Sequence, residues 1–122
     1  MLVDPVTVAA ASPTPSLVFA ITKNDGYGTE RVDTGGNGYT MVTNHSYQKG
    51  GGDKHYVQLT HSLVAENPIS GANSKQTASI SLTIVRPAFG FDDTAMVALV
   101  TALRDYVYDS QVTPAKLLQF QS

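Results

Sequence analysis

The chain has 122 residues, 42% hydrophobic and 15% charged, with a formal net charge of -2 and no cysteine. That length and apolar content fit one folded domain with its own core. They exclude disulfides and thiolate metal sites, and the charge gives no basic footprint for nucleic acid. Charged residues are scarce beside the roughly 25% of a typical domain, so partners are expected to occupy much of the surface. No apolar run approaches the ~18 residues of a membrane span, so no membrane partner is expected. The opening MLVDPVTVAAASPTPS lacks a basic n-region and is broken by Asp4, and reads as structure rather than a signal peptide.

In chain order, Val6 to Ala10 is a short β-branched strand, and Ser12-Pro13-Thr14-Pro15 is a turn. Ser16 to Lys23 is a second strand, Asn24-Asp25-Gly26 a hairpin turn, and Tyr27 to Val32 the return strand. Thr34 to Gly38 is another turn. Tyr39 to Gln48 and Lys54 to Glu66 form a long hairpin around Gly50-Gly51-Gly52-Asp53. A turn centred on Gly51 sets Thr40 opposite Ser62, Val42 opposite Thr60, Asn44 opposite Gln58 and Ser46 opposite Tyr56. Met41, Thr43, His45, Tyr47, Val57, Leu59, His61 and Leu63 then share the other, more apolar face. Asn67 to Lys75 is a loop.

The next stretch, TASISLTIV at Thr77 to Val85, alternates Ala78, Ile80, Leu82 and Ile84 with Thr77, Ser79, Ser81 and Thr83. A period of two marks a half-buried strand, and its polar face is uncharged. From Thr94 to about Asp109, Met96, Leu99, Val100, Leu103 and Val107 recur at helical spacing, with Asp92 or Asp93 as N-cap. Thr113-Pro114 opens a short helix that ends near Phe120.

The reading is an antiparallel meander followed by two C-terminal helices that cover the apolar face of the sheet. The last strand, long and free of charge and proline from Thr77 to Val85, is a hazard as an open edge. A second copy pairing there across a two-fold axis removes the hazard. The alternative is a further strand of the same chain beyond it.

Catalytic residues, metal and cofactor are not expected. His45 and His61 share a face but stand about four positions out of step, roughly 13 Å, too far to share a zinc ion. They are expected to pack beneath the helices, and His55, near the hairpin tip, to be exposed. Asp92 and Asp93 read as a helix cap, GGGDKH lacks a phosphate-loop ending, and the triplet Asn44-His45-Ser46 lies mid-strand. The chain does not read as an enzyme.

Three segments together resemble the coat proteins of single-stranded RNA bacteriophages of the levivirus type. SLVFAITKNDGYGTERV is similar to that family's early hairpin, and GYTMVTNHSYQKGGGDKHYVQLTHSLV to its central hairpin. ASISLTIVRPAFGFDDTAMVALVTALRDYVYDSQVTPAKLLQ is similar to its closing strand and helices. The resemblance implies an α+β fold: an N-terminal β-hairpin and five-stranded antiparallel sheet followed by two C-terminal helices in an interlocked dimer. One coat-protein domain spans 1–122, with the hairpin and first strands at 1–33, the central sheet at 39–86 and a helical dimerisation region at 92–120.

The implied function is a capsid protein whose homodimers assemble into an icosahedral shell around viral single-stranded RNA, in the virion and in the cytoplasm of a bacterial host. Binding of an RNA hairpin, as packaging signal or translational repressor, is an added implied role. The alternative is a small dimeric RNA-binding module that forms no shell. By position, the implied RNA-binding residues are Thr40, Val42, Asn44, Ser46, Gln58, Thr60, Ser62, Thr77 and Ser79. The expected dimer interface holds Ile80, Leu82, Met96, Leu99, Val100 and Leu103. The loop from Asn67 is expected to lie around the symmetry axes of the shell.

Overall fold

The β-branched and alternating segments pair in sequence order. A computed structural model describes residues 2, 4–10 and 14–121 of the chain. The strands are β1 (Val6–Val8), β2 (Leu17–Asn24), β3 (Gly28–Asp33), β4 (Tyr39–Tyr47), β5 (Asp53–Glu66) and β6 (Asn73–Arg86). The helices are α1 (Asp93–Tyr108) and α2 (Pro114–Leu118). Among the described residues the six strands form one antiparallel sheet in the order β1-β2-β3-β4-β5-β6. The turn expected at Ser12 to Pro15 falls partly on residues 11–13, outside those described.

Local chemistry explains the joints. At the β2–β3 turn Asp25 Oδ1 accepts from the backbone N–H groups of Tyr27 and Gly28, and Gly26 takes φ 90°. At the β3–β4 turn the buried Asp33 carboxylate accepts from the N–H groups of Val18, Gly35 and Asn37 and from the Asn37 amide. Burial pushes this carboxyl up, but those hydrogen bonds outweigh it and hold it below the usual carboxylate range.

The long hairpin corrects one expectation. Its turn runs through Gln48 to Gly52, closed by Gln48 N–H donating to the Gly52 carbonyl at 3.1 Å. Three successive glycines at positive φ centre the turn on Gly50 rather than Gly51. Thr40 therefore faces Thr60, Val42 faces Gln58, Asn44 faces Tyr56, and Ser46 faces Lys54. The slip is two residues, so every side chain keeps its expected face.

The slip also moves the histidines. His45 lies opposite His55, whose ring is half-buried rather than exposed at a tip, and His61 stacks on Tyr39 with ring centroids 3.9 Å apart. His45 itself is exposed, so it does not pack beneath a helix of its own chain.

The core of the single chain is small. Leu17, Phe19 and Tyr39 are its buried apolar side chains among the described residues, with Met41 and Leu59 packed against them. Arg31 is buried beside them, 3.8 Å from Asp4. The helices do not cover the sheet of their own chain: no residue of α1 or α2 is buried. The chain exposes 9079 Å², whereas a monomer of 13.0 kDa normally exposes about 6,300 Å².

Candidate nucleic-acid interface and assembly surfaces

Three strands build the polar face. Alternation along β4, β5 and β6, with the register between them, puts all nine expected residues on one side of the sheet. Thr60 stands between Thr40 and Ser79, and Gln58 between Val42 and Ser81. Ser62 faces Thr77, their hydroxyl oxygens 3.0 Å apart. Asn44, Ser46, Thr77 and Ser79 are exposed, and the other five are half-buried.

Tyr56 and Lys54 share this face and lie outside the expected set. Tyr56 sits between Asn44 and Thr83, and Lys54 between Ser46 and Val85. Asn44, Ser46, Lys54 and Tyr56 line a shallow pocket of about 280 Å³. An aromatic ring beside a lysine and two hydrogen-bonding side chains offers a base a stacking surface and a phosphate a cation. Even-position alternation marks both residues in the sequence. Only the correct register sets them beside Asn44 and Ser46.

The charge on this side is thin. Lys23, Lys54 and Lys75 are set against Glu30 and Glu66, with Lys23 directly opposite Glu30. Short hydroxyls and amides can bond to sugar, phosphate and base edges with little desolvation cost, but few counterions would be released on contact. Asn44 also lies across Gly28, its cross-strand partner. A side chain at 28 would collide with its amide oxygen.

The opposite side and the edge are apolar and open. β6 is the last strand of the sheet, 14 residues long, and among the described residues no strand lies beyond it. Ile80 is 74% exposed, and Leu82 is half-buried. On α1, Leu99 and Leu103 are exposed, and Met96 and Val100 border an apolar cleft of about 560 Å³ against Ile84 and His55. Of the six expected interface residues, Ile80, Leu99 and Leu103 are thus exposed and Leu82, Met96 and Val100 half-buried within the chain. β5 and β6 also run past β4 as a two-stranded arm ending in a loop of residues 67–72, shorter than expected because residues 73–75 join β6. Ile69 at its tip is 95% exposed.

An ionic cluster joins edge and helix. Arg86 forms a two-pronged pair with Asp53 at 3.0 and 2.8 Å, and also pairs with Asp93 in the first turn of α1. Asp92 caps that helix, accepting from Ala95 N–H at 2.8 Å. Hydrogen bonds from Arg86 hold the Asp53 carboxyl below its usual range against an opposing burial effect, helped by the charge of Arg86 and by His55.

No family model and no curated protein matches this sequence. Solved structures do match. The virus-like particle of bacteriophage AVE019 is 18% identical over 90% of each chain, with a TM-score of 0.76. The capsid protein of bacteriophage GA is 18% identical over 98% of this chain and 95% of that one, with a TM-score of 0.57. An unassembled bacteriophage coat protein dimer, described as RNA-binding, is 17% identical over 88% and 85%, with a TM-score of 0.52. The chain has the fold of single-stranded RNA phage coat proteins.

Proposed function

We propose that, on this coat-protein fold, the chain is a structural capsid subunit: it dimerises through β6 and the helices, and its dimers close into a shell around single-stranded RNA. One observation carries the reading. The open β6 edge leads through residues 87–92 into a helix none of whose residues is buried in its own chain. The excess of exposed surface, roughly 2,700 Å² per chain over the normal value for this mass, is about 5,400 Å² over two copies, at the upper end of the 2,000–5,000+ Å² of total surface that obligate interfaces bury. A partner's β6 would continue the sheet, and each helix would lie on the other subunit's apolar face.

The polar face of β4, β5 and β6 then lines the interior and touches RNA through Thr40, Asn44, Ser46, Gln58, Thr60, Ser62, Thr77 and Ser79, with Val42 packing among them. Tyr56 and Lys54 add stacking and charge. With so few cations, contact is modest and salt-sensitive. Electron microscopy of the purified protein tests the reading. Uniform shells that protect RNA from nuclease are expected. A clean soluble dimer without shells would refute capsid assembly and favour a dimeric RNA-binding module.

A further inference from the structure

On the apolar side of the sheet, His45 on β4 and His55 on β5 are direct cross-strand partners, with their Nδ1 atoms 2.8 Å apart. We propose that this ring-to-ring hydrogen bond is an acid switch: it holds while the pair carries at most one added proton, and a second proton breaks it and loosens the dimer built over it. The effect on association rests on the dimer proposed above, whereas the effect on the β4–β5 hairpin does not.

The geometry has room for one added proton. A bond between two Nδ1 atoms needs one N–H and one lone pair, and two neutral rings supply both. Behind the pair, His55 Nε2 lies 3.3 Å from Asp53 Oδ2. A His55 protonated on both nitrogens donates from Nε2 to Asp53 and from Nδ1 to the lone pair of His45. A second added proton can go only to His45 Nδ1. Two N–H groups of like charge would then meet across 2.8 Å with no lone pair between them, and the rings must turn apart.

The surroundings do not absorb the second charge. Asp53 is already shared between His55 and Arg86, and Arg86 also pairs with Asp93 of α1. From β3, Tyr27 flanks His45, its carbonyl accepting from His45 N–H at 2.7 Å, and the cation Arg31 borders the same cavity. Opposite His55 on β6 stands Ile84, and Met96, Val97 and Val100 of α1 line the same cleft. On the α1 of a second copy laid here, the charged residues are Asp93, Arg104 and Asp105, and the last two pair with each other at 3.2 Å. In the single chain His45 is exposed, so water can solvate its charge. Beneath a partner's helix that water is excluded, and the second proton costs most in the dimer.

The sign follows from proton counting. Histidine is the side chain that changes charge between pH 5 and 8. Below about pH 6.5 the unfolded chain takes a proton on each ring, and the hydrogen-bonded pair takes one. Acid therefore favours the unfolded, dissociated chain. The stabilisation is complete above the histidine range and is lost as pH falls below it.

The test follows thermal midpoint, by circular dichroism, and dimer dissociation, by analytical ultracentrifugation, from pH 8 to pH 5 in wild type, H45Q, H55Q and H61Q. A glutamine amide can accept from the remaining ring, so neither H45Q nor H55Q meets the clash. Below about pH 6.5 wild type should lose about tenfold per pH unit per chain in its folding equilibrium beyond what H45Q and H55Q lose. H61Q should follow wild type. In wild type alone, ring-proton magnetic resonance should show one ring of the pair charging well before the other. A dimer at pH 8 with the same acid loss in wild type, H45Q and H55Q would overturn the switch and leave the dimer standing. So would two rings that charge together. A folded monomer at pH 8 would instead refute the dimer and the effect on association with it.

Discussion

Asn44 and Thr60 are the sharpest probes of the polar face, because both sit at its centre and neither forms part of the core. Replacing both by Ala should change stability by no more than about half a kcal/mol. Replacing both by Glu should leave dimers intact but lower the RNA content of shells, since each subunit then sets two negative charges against phosphate. Absorbance ratios of purified shells measure this, and unchanged RNA content would return the face to plain solvent. Asp53 answers a different question. Its carboxyl is held below the usual range, first by the Arg86 hydrogen bonds, so the stability it contributes is complete above the ordinary carboxylate range and is lost as pH falls through the lowered value. Acid titration followed by circular dichroism should therefore show wild type losing an advantage over Asp53→Asn below about pH 4. Parallel acid curves would remove Asp53 from the account.

At the scale of elements, α1 is held at its start by a local cap, the Asp92 carboxylate accepting from Ala95 N–H. Asp92→Ala should cost about 1 kcal/mol in denaturant unfolding, with Asp92→Ser close to wild type. The arm beyond β4 is held by ladder pairing and by Asn67, whose side chain accepts from the N–H groups of Ile69 and Ser70 at 2.8 and 3.3 Å. Cutting residues 67–72 to a two-residue turn should leave the dimer folded and disturb shell closure, because the loop is remote from Leu17, Phe19 and Tyr39. Loss of folding, seen by circular dichroism, would make the arm part of the folding unit instead.

For the whole molecule, the three buried apolar side chains among the described residues, with their two half-buried neighbours, are a slender core for a chain of this length. The dimer is therefore expected to be the smallest folded species, with subunit folding and association measured as one transition. Ile80→Asp places a charge where the partner should cover the sheet. Breaking burial in this way costs about 3–5 kcal/mol and should prevent folding and assembly together. Analytical ultracentrifugation at micromolar concentration decides it: a stable folded monomer would overturn the dimer.

The sequence by itself determined which side the residues of β4, β5 and β6 take, because the period of two is local and survives any even slip in pairing; in β2 a bulge between Ile21 and Lys23 breaks that period. It also determined both helix starts, since Asp92 and the Thr113-Pro114 pair act on N–H groups within one turn. The absence of charge and proline in Thr77 to Val85 was enough to mark an edge that needs cover. Tertiary structure decided the rest. In a run of three glycines any residue can centre the turn, so the two-residue slip that brings His45 to His55, and Tyr56 to Asn44, has no local signal. Residues 73–76 lack a β-former pattern and become strand only because β5 lies alongside to pair with them. The periodicity of α1 specified an apolar face, but whether that face meets its own sheet or another chain depends on the path out of Arg86. There Arg86 pairs with Asp53 and Asp93 where the helix leaves the sheet, and no residue of the helix is buried in its own chain.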